Sequence, residues 1–195
     1  MALESTDVRR VDVGDGIYVS VPAPEPRSRR VPPLALVLGA GMSVVALATL
    51  GVTPDGLLAA GLLPVLVVLA AVDIRARVLP NRIIGPAMVA VLLWLLVFAR
   101  GDIPAHLLAA LGAGAFLLLP GLVKPGAMGM GDVKLAALLG LALGTQVVSA
   151  LTIGCLAVAP AALAVLILGG SGVRHSYLPF GPFLGLGAAV VLLTS

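Results

Sequence analysis

The chain has 195 residues, of which 60% are hydrophobic and only 11% charged, and its mean hydropathy is +1.16. Soluble domains carry roughly 25% charged residues, and a chain this small has too much surface to hide so apolar a composition in a core; a water-soluble globular protein is excluded, and a bilayer is the natural solvent. The pI near 9.6 rests on a net charge of only +3, with no basic patch interleaved with aromatics, which argues against nucleic acid as a partner.

Residues 1–33 stand apart. Five of the nine acids (Glu4, Asp7, Asp12, Asp15, Glu25) fall there, as do five of the twelve Lys/Arg, and prolines crowd its end at Pro22, Pro24, Pro26, Pro32 and Pro33. That is the composition of a polar, largely disordered tail, with a faint strand pattern around Ile17–Val21. Ser28-Arg29-Arg30 and Ala46-Leu47-Ala48 have the outline of an export signal and its cleavage site. Pro32-Pro33, however, stand where such a signal begins its apolar stretch, and the run continues unbroken to Val52, so the first span is expected to be retained.

Apolar runs then cover 34–52, 57–72, 83–99, 105–123, 133–144, 147–169 and 179–194. A spanning helix takes about 20 residues. The fifth run is short, and suits a half-helix, a tilted helix or a join to local structure around Gly144-Thr145-Gln146. The expectation is an all-α, polytopic integral membrane protein with six or seven membrane segments in one embedded domain, 34–195. With the N-terminus in the cytoplasm, alternation through seven segments places Arg9, Arg10, Arg27, Arg29, Arg30, Arg75, Arg77, Arg82, Lys124, Lys134 and Arg174 inside and Arg100 alone outside. This asymmetry follows the positive-inside rule and explains the basic pI.

Outside the tail only Asp55, Asp73, Asp102 and Asp132 remain. Asp55 and Asp102 fall in short outer loops and read as turn or cap residues. Asp73 and Asp132 each abut an apolar segment at the cytoplasmic edge, where acids are costly and are functional candidates by default. Asp73 closes the second span and is followed by Leu79-Pro80-Asn81; Pro80 drives Leu79 out of helical conformation, and Asn81 suits the N-cap of the next span. Asp132 opens the fifth segment after Gly129 and Gly131, which let another backbone approach. Two carboxylates in one site share a proton, one serving as general base on a water and the other polarising a carbonyl. The rival readings are an ion pair of Asp73 with Arg75 or Arg77, and a mere N-cap for Asp132 beside Lys134. Dipoles add an asymmetry: Asp132 at a helix N-terminus is favoured as an anion and Asp73 at a helix C-terminus is not. Gly140/Gly144 and Gly181/Gly185 have the spacing of close helix packing. Cys155 lies inside an apolar run and leaves no CxxC pair for zinc; with His106 and His175 far apart, no metal or cofactor is implied.

The stretches DIRARVLPN (73–81), GMGDVK (129–134) and LPFGPFLGLG (178–187) together resemble the type IV prepilin peptidases, GxGD-type intramembrane aspartyl proteases, over about residues 34–194. The resemblance implies Asp73 and Asp132 as the catalytic pair, with Gly129, Gly131, Lys134, Pro80 and Asn81 binding substrate or shaping the site. It implies a bacterial inner-membrane enzyme that cuts prepilin or pseudopilin leaders on the cytoplasmic face, in contact with lipid and with other pilus or secretion components. Long members carry CxxC pairs linked to N-methylation, which this sequence lacks. It is similar instead to the short, peptidase-only forms that process Flp-type pilins, and no methyltransferase activity is expected. Val72 before Asp73 and the missing Pro-Ala-Leu tripeptide separate it from the presenilin-like branch. The competing classes are a small membrane transporter, which would need polar groups near the midplane, and a structural subunit of a pilus or secretion assembly.

Overall fold

The computed structural model of the chain describes residues 8–12, 18–22, 32–76, 79–123, 128–168 and 180–194. Within the expected tail, strands β1 (Val8–Asp12) and β2 (Tyr18–Pro22) pair antiparallel, Val8 opposite Pro22 and Asp12 opposite Tyr18. The faint pattern at Ile17–Val21 thus matches β2 shifted by one residue; the partner strand was not foreseen.

Among the described residues the membrane domain is all-α, with helices α1 (Pro33–Leu50), α2 (Pro54–Ala76), α3 (Asn81–Phe98), α4 (Ile103–Val123), α5 (Met130–Leu143), α6 (Val147–Leu168) and α7 (Gly181–Thr194). These bounds follow the apolar runs to within a few residues. Local chemistry sets several ends: Pro33 opens α1, where its missing N–H costs nothing, and Thr53 Oγ1 accepts the Gly56 N–H at 3.1 Å to start α2. Pro64, Pro86, Pro120 and Pro160 lie inside helices, as neighbouring membrane helices permit.

Among the described residues, five helical segments are long and apolar enough to cross a membrane, and α7 is a shorter apolar helix. The longest segment, Met130–Pro160, contains a reversal. A one-turn 3-10 helix at Gly144–Gln146 separates α5 from α6, and Gly144 adopts φ +55°, a left-handed conformation that glycine takes at little cost. Packing shows the directions. Gly140 lies on Ala109 and Ala110 while Gly114 lies on Ala137, so α5 runs antiparallel to α4; Gly154 lies on Leu184 and Gly187 on Ala150, so α6 runs antiparallel to α7. Since α7 and α5 both start at the Asp73 end, α6 returns to it. The protein is a polytopic bundle, and the short fifth run ends in the local structure expected around Gly144-Thr145-Gln146.

Nearly every residue from Leu135 to Leu143 is buried, and these pack with Leu62, Leu63, Leu66 and Leu69 of α2 and Leu184 and Ala188 of α7. Helix α5 is therefore the central post. Leu34, Val37 and Val44 of α1, Leu93 and Val97 of α3, and Leu108 and Leu111 of α4 face outward, as lipid-facing side chains do. Because lipid is as apolar as leucine, helix contacts here depend on close packing of small residues. A Cβ on Gly140 would lie 2.5 Å from the Ala109 oxygen and 2.6 Å from Ala110 Cα. Gly140→Ala should therefore destabilise the bundle by about 1–3 kcal/mol. Gly85→Ala, whose Cβ would meet nothing within 4 Å, should be neutral or stabilising by about 0.5–1 kcal/mol; thermal denaturation of the detergent-solubilised protein distinguishes the two.

Candidate active site

Four helix ends converge where α2 finishes. Asp73 sits in the last turns of α2 and is 6% exposed, the one buried charged residue among those described. A carboxylate in such surroundings must be answered by hydrogen bonds. One comes from the backbone N–H of Gly181, which donates to Asp73 Oδ2 at 3.1 Å across 108 residues of sequence. Gly181 is the first residue of α7, so the positive end of that helix dipole points at the Asp73 carboxylate. A Cβ on Gly181 would lie 2.8 Å from the same oxygen; only glycine allows this approach.

Asp132 lies in the first turn of α5, whose N-cap position is Gly129, with no side-chain cap hydrogen bond. The mere-cap reading of Asp132 therefore does not describe its side chain. Asp132 Oδ1 is buried without a hydrogen-bond partner among the described residues, and such atoms call for a functional explanation. The Asp73 and Asp132 carboxylates are close enough for their charges to interact. The expected dipole asymmetry is offset, because each carboxylate faces a helix N-terminus: Asp132 that of its own helix, Asp73 that of α7. Of the alternative partners of Asp73, Arg77 lies outside the described residues.

The surrounding candidates fall at the same end. Lys134 Nζ donates to Asn81 Oδ1 at 3.0 Å, linking α5 to the start of α3. Asn81 is thus the first helical residue and a partner of Lys134; the N-cap position belongs to Pro80, whose carbonyl accepts the Ile83 and Ile84 amides at 3.0 and 3.3 Å. A Cβ on Gly131 would lie 2.8 Å from Leu79 Cβ, and one on Gly129 would lie 3.2 Å from Asp132 Oδ2. The approach these glycines permit is that of the chain's own Leu79 and Asp132. At the opposite end of the bundle, Asp55 lies in the first turn of α2 and Asp102 in a one-turn 3-10 helix, Arg100–Asp102, ahead of α4. His106 is structural, its Nδ1 2.8 Å from the Leu141 carbonyl, and Trp94 packs on Phe98 with centroids 5.7 Å apart.

The contact that sequence reasoning missed is Gly181. Its signal was present in the Pro179-Phe180-Gly181-Pro182-Phe183 stretch, where glycine precedes proline at the start of an apolar helix, but nothing in the spacing says that its amide meets an acid over a hundred residues away.

The sequence model of the type IV leader peptidase family matches residues 60–170, more than half of the chain. No curated protein and no solved structure matches it. The matched region contains both aspartates and α5; α7 lies beyond it. Gly181→Ala tests whether α7 nevertheless belongs to the working site. Displacing the Asp73 carboxylate should lower peptidase turnover by about 10²-fold, the scale of a 1 Å misplacement, with normal amounts of protein in membranes by immunoblot. Gly185→Ala, whose Cβ makes only ordinary 3.9 Å contact with Leu66, should remain active.

Proposed function

The chain belongs to the type IV leader peptidase family, and we propose that it is an aspartyl endopeptidase in which Asp73 and Asp132 together hydrolyse one peptide bond of a membrane-anchored prepilin or pseudopilin. The observation that carries this reading is the convergence of a buried Asp73 and a first-turn Asp132 at one end of the bundle.

The chemistry follows from two carboxylates that hold one proton between them. The ionised member takes a proton from a water as the water's oxygen attacks the scissile carbonyl carbon. The protonated member gives its proton to the carbonyl oxygen as the carbonyl carbon becomes tetrahedral. On collapse the C–N bond breaks, the leaving amine takes a proton from the acid that accepted one from water, and a hydroxyl of the diol returns its proton to the other carboxylate as the C=O bond re-forms, so the pair again holds one proton. Burial among apolar helices strengthens each of these electrostatic interactions. The Gly181 amide fixes Asp73 throughout, and Lys134 with Asn81 fixes the end of α5 against α3.

The basic residues support a cytoplasmic location for this end. Arg75, Arg82 and Lys134 lie at the Asp73 end and Arg100 at the other, which is the distribution expected for an active site on the cytoplasmic face of a bacterial inner membrane. The absence of CxxC pairs from the sequence favours a peptidase that does not methylate its product, similar to the forms acting on Flp-type pilins.

Co-expression with a candidate prepilin, scored by loss of the leader on a gel, tests the assignment. Asp73→Asn and Asp132→Asn should each lower cleavage by about 10²–10⁴-fold, the usual worth of a general acid or base, with both variants present in membranes at normal levels. Near-normal cutting by either would refute the two-aspartate mechanism. The proton requirement has a pH signature: protonating both carboxylates at low pH removes the base, and ionising both at high pH removes the acid. kcat/KM should trace a bell whose two limbs belong to the pair, and a plateau extending to the alkaline side would contradict the shared proton.

A further inference from the structure

We propose that the cleft between α4 and α6 seats the precursor's own membrane helix and so delivers its cut site sideways to the aspartates. This rests on the peptidase reading above and adds to it the part of the substrate that is held and the route by which it arrives.

Two cavities, of about 710 and 620 Å³, lie between these helices and share Phe116 and Cys155, so they form one groove. One end begins at Thr145, beside the reversal between α5 and α6. The other ends on Met128 and Phe180. Met128 precedes Gly129, the N-cap of the helix carrying Asp132, and Phe180 precedes Gly181, whose amide holds Asp73. The groove therefore reaches from the α5–α6 reversal to the residues just ahead of the two helix starts that carry Asp132 and hold Asp73.

Its lining is apolar. Thr152 has its hydroxyl satisfied by the Val148 carbonyl at 2.8 Å, so an occupant need bring no polar partner there. The occupant must be long, apolar and lipid-borne, which leaves a helix or an acyl chain. Gly112 of α4 favours the helix. It lines the groove, and a Cβ added to it would meet nothing within 4 Å. Glycine inside a helix costs about 1 kcal/mol relative to alanine, and no neighbour within the bundle requires it here. A second helix packing closely does call for a small residue, whereas an acyl chain conforms to any surface. A helix lying in the groove has one terminus at the Met128–Phe180 end, so the peptide bond just outside that terminus arrives beside Asp73 and Asp132.

Cys155 is the one cysteine in the sequence and is exposed in the groove, which provides a unique probe. The full chain carrying Asp132→Asn is co-expressed with a precursor bearing single cysteines at successive positions of its apolar helix, and the membranes are oxidised; cleavage is read in parallel with the unsubstituted chain. Disulfides to Cys155 should recur every three or four positions of the precursor helix and vanish with Cys155→Ser. If the precursor is cut but no position crosslinks, or if the disulfide joins two copies of the chain instead, the docking proposal fails and the peptidase reading stands. If the precursor crosslinks with helical periodicity but is not cut, docking stands and the peptidase reading fails; if it is neither cut nor crosslinked, both fall. In a second measurement, Gly112→Leu projects into the groove from a position where its Cβ meets nothing within 4 Å. It should raise KM for the anchored precursor by about tenfold or more and leave cleavage of a short peptide spanning the cut unchanged. Equal loss on both substrates, or loss on neither, overturns the proposal.

Discussion

A carboxylate among apolar helices is tolerated only where polar groups meet it, and at Asp73 the amide of Gly181 does so. Much of the domain's architecture serves that meeting. Helix α7 must start, and expose its unpaired N–H groups, at the depth where α2 carries its acid. The residue there must lack a side chain, since a Cβ would lie 2.8 Å from the carboxylate oxygen. The chain must also arrive from the correct side, which the reversal at Gly144–Gln146 secures by sending α6 back to the Asp73 end.

The length of α5 completes the arrangement. Fourteen residues span about 21 Å at 1.5 Å per residue, well short of the roughly 30 Å of a hydrocarbon core. The central helix is buried mostly from Leu135 onward, while its start lies open, Met130 being 60% exposed. Asp132, three residues beyond the N-cap, stands half-buried at the boundary between that open start and the core. His106 against the Leu141 carbonyl and Gly140 against Ala109 and Ala110 hold the far part of the helix, and Lys134 with Asn81 and Gly131 against Leu79 hold its start, so the position of Asp132 is set from both ends of α5.

The helix bounds and the placing of Asp73 and Asp132 at one end of the bundle were legible in the sequence because apolar runs, prolines and rare charges survive without knowledge of packing. Faces were not. In water an inward face is apolar and an outward one polar, whereas here Leu111 toward lipid and Leu139 in the core are chemically alike. Contacts that join distant parts of the chain were hidden for the same reason: Gly181 with Asp73, Lys134 with Asn81, Gly131 with Leu79. Each depends on which side of a helix points inward, and no periodicity records that. Local rules also gave way to tertiary ones. Asn81 has the chemistry of an N-cap, yet its carbonyl oxygen accepts from Lys134, and the approach open beside Gly131 is filled by Leu79. The hairpin of β1 and β2 escaped because its polar, proline-flanked composition resembles that of a chain with no partner strand.

The property that makes the faces illegible also bears on how an anchored substrate could reach a recessed site. Where helices associate without a hydrophobic driving force, a groove between two of them loses little when it exchanges lipid for a helix, and gains only what shape and close approach supply. A groove of that kind holds a substrate helix loosely enough to release it, whereas a pocket in water would bind it by burial of its whole apolar surface. Under the proposed docking, peptide-bond cleavage is directed by depth: the bond cut is the one placed level with the starts of α5 and α7. In that proposal the helix starts that bring the two carboxylates together also set that level, so one structural constraint would account for the placement of the acids and for the choice of bond.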